Sequence, residues 1–224
     1  MDAKIISVHF PKAGGTSLKK SLINAFGPEH VYLDYKDDPK DPICQYNLDP
    51  ERACQRAAIL AAQPEIQVIH GHFHPGKYGL VKGARWITFL RHPLDNLFSI
   101  YFYWKTIPGL AHALYNYFKF QNLTLLDMSR LPVIRYLMSR TYFGGVDMDS
   151  FEFIGFQENY LADLRSLALR LSIPFDENHE NLNVYSNYSA EVQAIRSDQR
   201  MLEQLSENLA ADIDFYERVK KSRA

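Results

Sequence analysis

A short apolar strand runs straight into paired glycines and then into a helix at Ile5-Ile6-Ser7-Val8-His9-Phe10-Pro11-Lys12-Ala13-Gly14-Gly15-Thr16-Ser17-Leu18. Adjacent glycines let the backbone approach an anion closely, and the first N–H groups of a helix have no intrahelical acceptor. The helix dipole adds about 0.3–1 kcal/mol for a nearby anion, so this turn suits a phosphate. In the Walker phosphate loop the lysine follows the glycines, in G-x-x-x-x-G-K-[ST]. Here Lys12 precedes Gly14 and Gly15, and no Lys-Ser or Lys-Thr pair comes after them. No clear apolar strand ends in an Asp that would hold Mg²⁺; the apolar strand Trp86–Leu90 ends instead in Arg91. A cation there meets an anion directly.

The chain has 224 residues without an internal repeat or a dividing linker, which predicts a single α/β domain over 1–224. Its 25 basic and 26 acidic residues argue against general nucleic-acid affinity, so any nucleotide site rests on a few placed cations. Cys44 and Cys54, the two cysteines, read as reduced thiols rather than a disulfide framework or metal motif. No apolar run reaches the ~20 residues of a membrane span. Residues 3–10 already read as a core strand rather than a signal peptide, so the expectation is a soluble cytoplasmic protein, with no membrane and no nucleic-acid partner. No feature supports a particular oligomer.

After strand 5–10, a helix is expected from Thr16 to Phe26, where Leu18, Leu22 and Phe26 share one face and Gly27-Pro28 stops it. Val31–Leu33 reads as a second strand, and the Pro-rich stretch 36–50 as an exposed loop with solvated charges. A helix over 51–63, a third strand at 66–69, strand 86–90 and an aromatic helix 94–104 follow. Residues 110–140 read as irregular helix, 151–156 as a strand, 159–171 as an amphipathic helix and 189–220 as closing helices. Strands alternating with helices predict a P-loop-like three-layer fold: a central, mainly parallel sheet flanked by helices, with ligands at the strand C-terminal ends. Lys12, His70, His72 and Arg91 are all expected just past such ends.

Phe10-Pro11-Lys12-Ala13-Gly14-Gly15-Thr16-Ser17-Leu18 resembles the 5′-phosphosulfate loop of sulfotransferases that use 3′-phosphoadenosine 5′-phosphosulfate (PAPS). Arg91-His92-Pro93-Leu94-Asp95-Asn96-Leu97-Phe98-Ser99 resembles the same family's 3′-phosphate motif, and His70-Gly71-His72-Phe73 the His-Gly-His segment of the uronosyl 2-O-sulfotransferases. The resemblance implies a soluble microbial-type carbohydrate sulfotransferase, transferring the sulfuryl group of PAPS to a saccharide or other small alcohol and releasing 3′,5′-adenosine diphosphate, with no metal required. It further implies that Lys12, the backbone of Ala13, Gly14 and Gly15, and Thr16 and Ser17 hold the 5′-phosphosulfate, with Lys12 also stabilising the leaving group. Arg91 and Ser99 would bind the 3′-phosphate, His72 would deprotonate the acceptor and His70 would assist. The residues themselves leave two other readings of His70, His72 and His74 open, a structural hydrogen-bonding role and a Zn²⁺ site; Glu29 or Asp34 could also replace His72 as base.

Two departures stand out. His92 occupies a position where many relatives have Asp, and no late basic Gly-rich loop precedes the final Lys220-Lys221-Ser222-Arg223, which reads as a solvated tail. The rival readings are a P-loop-type small-metabolite kinase using ATP and Mg²⁺, and a nucleotide-binding module without turnover.

Overall fold

The computed structural model describes residues 3–110, 112–175 and 187–223. Five strands, β1 (Ile5–Val8), β2 (Val31–Asp34), β3 (Val68–Gly71), β4 (Arg85–Leu90) and β5 (Phe153–Phe156), form one sheet in the order β2-β3-β1-β4-β5. Every pairing is parallel. Strands β1, β3 and β5 are buried along their whole length, as a sheet covered on both faces requires, and their Ile, Val and Phe content supplies that burial. The connections from β1 and from β4 leave toward opposite edges of the sheet, so the crevice past the ends of these neighbours is the topological switch point where such sheets bind ligands.

The flanking helices are α1 (Gly15–Phe26), α2 (Gln45–Leu48), α3 (Pro50–Ala61), α4 (Pro93–Thr106), α5 (Ala113–Gln121), α6 (Leu125–Arg130), α7 (Pro132–Arg135), α8 (Tyr160–Leu171), α9 (Tyr188–Ser197), α10 (Gln199–Asn208) and α11 (Ala210–Arg223). One apolar cluster extends from Ile5 to Val219. Between α7 and β5 lies a π-helical turn, Leu137–Tyr142, in which Thr141 N–H bonds the Tyr136 carbonyl and Phe143 N–H that of Met138. Buried Asp212 of α11 fastens it, accepting from the Met138 amide at 2.7 Å and the Ser139 amide at 2.8 Å. Among the described residues, no helix is long and apolar enough to cross a membrane.

The architecture agrees with the sequence expectation, and most differences are shifts at element ends; Ala111 of the irregular stretch lies outside the described residues. Three differences matter. Strand β3 runs to Gly71, so His70 sits inside the sheet rather than past its edge. The stretch after β2 is not a solvated loop: Asp37 and Lys40 are buried. The basic C-terminal residues belong to α11, where the Arg223 guanidinium donates to the carbonyls of Met148 and Phe151 and Lys220 lies over Tyr216.

Candidate active site

The loop between β1 and α1 is held by its carbonyls. Thr88 Oγ1 donates to Val8 O at 2.9 Å, Asn96 Nδ2 to Pro11 O at 2.6 Å and Arg91 Nη1 to Lys12 O at 3.2 Å. With these acceptors engaged by β4 and α4, the amides that follow are left to face an anion. The first intrahelical bond runs from Leu18 N–H to Gly14 C=O, so the amides of Gly15, Thr16 and Ser17 precede it. Gly14 has φ +86° under the Tyr160 ring, a left-handed conformation that favours glycine. No acidic residue stands in the first turn of α1 to oppose an anion. Ala13 and Ser17 are buried, Thr16 is exposed, and the Tyr160 phenol lies beside the Ser17 hydroxyl.

Two cations flank this turn. Lys12 is half-buried, its Nζ 4.2 Å from the centre of the Tyr103 ring, and burial followed by the Arg91 charge lowers its pKa. Arg91 follows β4 directly, and its buried Nε has no hydrogen-bond acceptor in the protein among the described residues. Ser99 is buried on α4. Asp34, which does end a strand, stands at the sheet edge, its Oδ2 taking bonds from Lys77 at 2.6 Å and Tyr78 at 2.9 Å. That carboxylate is engaged away from β1.

The histidines form a stack at the same end of the sheet. His9 lies 4.2 Å from His72 and 5.1 Å from His70, ring centre to ring centre, and its Nδ1 meets Tyr35 Oη at 2.9 Å. The His9 ring also packs directly on Gly15: a Cβ there would fall 1.9 Å from His9 Cδ2. The stack therefore touches the phosphate-type turn. His72 Nδ1 lies 2.6 Å from the His9 carbonyl, which can only accept, so Nδ1 carries the hydrogen and Nε2 of the neutral ring keeps its lone pair. Burial, then the charge of Lys40, lowers the His72 pKa to about 4, which keeps the ring neutral at ordinary pH.

His70 is fully buried with Nδ1 at 2.8 Å from Ser7 Oγ, and burial lowers its pKa to about 3. His74 caps the turn after β3, accepting from Gly76 N–H through Nδ1 while its Nε2 donates to Gly144 O at 3.1 Å. No group of His, Cys, Asp or Glu among the described residues is arranged to hold a metal ion.

Beside His72 lies a buried polar network. Lys40 Nζ pairs with Asp38 and donates to Tyr142 Oη at 3.0 Å, and Tyr142 donates to Asp38 Oδ1 at 3.0 Å. The Tyr142 ring stands edge-on to His72 with 6.4 Å between centres. His112, ahead of α5, adds an imidazole whose two buried nitrogens lack partners among the described residues, and burial lowers its pKa as it does that of His72. Sequence reading singled out none of His9, Tyr35, Asp38, Lys40, Tyr142 and His112. For His9 a signal existed, its position directly after β1, but the others are joined only by folding.

No protein-family model and no curated protein matches the chain. Among solved structures it is similar to a sulfotransferase from Alicyclobacillus acidocaldarius, with 13% identity, a TM-score of 0.43, and 94% of this chain and 97% of that one covered. It is also similar to mouse sulfotransferase SULT7A1 complexed with PAP (15% identity, TM-score 0.39, covering 87% of this chain and 64% of that one). A retinol dehydratase in complex with retinol and PAP aligns at 14% identity and a TM-score of 0.43, over 94% of this chain and 82% of that one.

Proposed function

We propose that the chain is a PAPS-dependent sulfotransferase, acting as one domain on a hydroxyl of a saccharide or other small alcohol, in the manner of the uronosyl 2-O branch. The observation that carries this reading is the composition of the switch-point crevice. A phosphate-type turn has its carbonyls pinned away, cations rather than carboxylates flank it at Lys12 and Arg91, and the neutral His72 is joined to it through His9.

The residues fit the co-substrate. The unpartnered Nε of Arg91 is a donor in want of an acceptor, which a 3′-phosphate supplies, with Ser99 as a neutral second donor. The amides of residues 13–17 and the Thr16 hydroxyl would hold the 5′-phosphosulfate, with Ser17 alongside. When bound, PAPS supplies an activated sulfuryl group whose bond to the phosphate oxygen breaks as the acceptor oxygen bonds to sulfur. His72 Nε2 takes the acceptor proton, and its Nδ1–H bond to His9 O strengthens as the ring becomes cationic. Lys12 places its charge where the departing phosphate oxygen gains negative charge. His70, sealed in the sheet on Ser7, assists by fixing the stack rather than by touching the acceptor.

Calorimetric titration in EDTA with 3′,5′-adenosine diphosphate, ADP and 5′-AMP tests this. Preferential binding of 3′,5′-adenosine diphosphate is expected, falling by roughly tenfold or more in Arg91→Ala, as a charged hydrogen bond of 1.5–3 kcal/mol predicts. Equal or better binding of ADP, strengthened by Mg²⁺, would sink the reading in favour of a kinase. Binding without sulfuryl transfer to any of a broad acceptor panel would favour a nucleotide-binding module.

A further inference from the structure

A phosphate monoester carries close to two negative charges at neutral pH. In the reading above, Arg91 offers it a single full positive charge, and Asp95 in the first turn of α4 adds a repulsive carboxylate nearby. Arg91 and Asp95 cancel, so without another cation the phosphate meets no net positive charge. Helix α9 brings one. Arg196 pairs with Asp95, and its guanidinium lies 5.8 Å from the centre of the Phe98 ring, next to Ser99 in the chain. Asp95 and Ser99 are four residues apart on a helix and so share a face, which puts the bound guanidinium on the Ser99 side of α4. At the other end of α9, the Tyr188 phenol meets the Arg91 guanidinium, and the Tyr188 ring packs edge-on against Phe102 at 5.6 Å. One helix thus touches both ends of the Arg91–Ser99 segment. The Arg196 side chain is 42% exposed, so an incoming phosphate has access to it.

We propose, resting on the sulfotransferase reading, that Arg196 is a second phosphate-binding cation of the nucleotide site, while Tyr188 orients Arg91. Arg196 cancels the Asp95 charge and turns its remaining N–H groups to the 3′-phosphate beside Arg91 and Ser99. The fork of an arginine permits both bonds at once, which a lysine would not. The chain thereby supplies from α9 the cation that its sequence lacks in a late basic loop.

The test is titration of wild type, Arg196→Gln, Asp95→Asn and Tyr188→Phe with 3′,5′-adenosine diphosphate and with 5′-AMP. Arg196→Gln is expected to weaken the diphosphate about tenfold and leave 5′-AMP unchanged, the size of one charged hydrogen bond. Asp95→Asn is expected to hold or raise affinity for the diphosphate, because it removes a negative charge and keeps the cation. Tyr188→Phe is expected to cost a few-fold for the diphosphate alone. Equal losses for both nucleotides in Arg196→Gln, or the same loss in Asp95→Asn, would mean that Arg196 only props α9 against α4, and the proposal fails. A wild-type protein that does not distinguish the two nucleotides overturns the sulfotransferase reading itself, whatever the variants do.

Discussion

The two halves of the candidate site are built in different ways. The half proposed to hold phosphate rests on two contiguous segments, 10–17 and 88–99, each leading from a strand into a helix, with α9 laid against the second. The half proposed to face the acceptor is gathered from the end of β1, the end of β3, the stretch after β2, the π turn before β5 and the residue ahead of α5. A contiguous site is shaped by local backbone geometry, whereas a gathered one depends on long-range packing. Damage should therefore stay local in the first and spread in the second. His9, packed on Gly15 and stacked on His72, belongs to both.

The largest expected effect falls on the acceptor half. If His72 is the base, as proposed, His72→Asn should cut turnover about 10²–10⁴-fold while leaving 3′,5′-adenosine diphosphate affinity unchanged. Lys12→Met should cost about 10²-fold in turnover with a smaller loss of nucleotide affinity, the signature of a charge that acts on the leaving group. Steady-state kinetics beside calorimetry separates the two, and intact sulfuryl transfer in either variant would contradict its assigned role.

Gly15→Ala is the substitution that joins the halves. Its Cβ would overlap the buried His9 ring, so that ring must shift, at about 1–3 kcal/mol of stability by the usual cost of overpacking. The shift should reach His72 through the stack and lower turnover even for nucleotide-saturated enzyme. A variant with unchanged kcat would show that the halves are independent. The last test is of pH and reads stability rather than turnover. Buried His9, His70 and His72 all have lowered pKa values, about 3 for His70 and about 4 for His72. The unfolded chain binds protons to these rings near pH 6.5 that the folded chain refuses. Their contribution to stability is thus complete above pH 6.5 and is lost as pH falls through about 4 for His72 and about 3 for His70. The rings stack on one another, so they titrate as a coupled set and the loss is one decline rather than three separate ones. Urea unfolding at pH 7, 6 and 5 measures it, and a flat profile would exclude three buried neutral rings.

The same difference explains what could be read from the sequence. The strand-to-helix junctions at Gly14–Gly15 and at Arg91–Pro93 announce themselves because glycine, proline and apolar runs act over neighbouring residues. The alternation of strands and helices follows from the same local signals. Asp38 and Lys40 read as solvated charges because nothing near them in sequence shows that Tyr142 will cover them. His70 reads as lying past a strand end because Ile66-Gln67-Val68-Ile69 is apolar enough to be a strand by itself, while pairing with β1 sets the true end at Gly71. The pairing of Asp95 with Arg196 is equally silent, since its partners sit on helices far apart in the chain.

The wide turn Leu137–Tyr142 gives the acceptor half an unusual dependence on chain register. A π turn accommodates an extra residue within a helical path. Each residue of an ordinary helix advances the azimuth by about 100°, so excising one residue here would let the segment relax into α-helix and swing the Tyr142 phenol off the Asp38–Lys40 pair. A single-codon deletion far along the chain would then open the wall beside His72 without touching either nucleotide motif. One residue gained or lost there would reshape that wall while both strand-to-helix junctions kept their form.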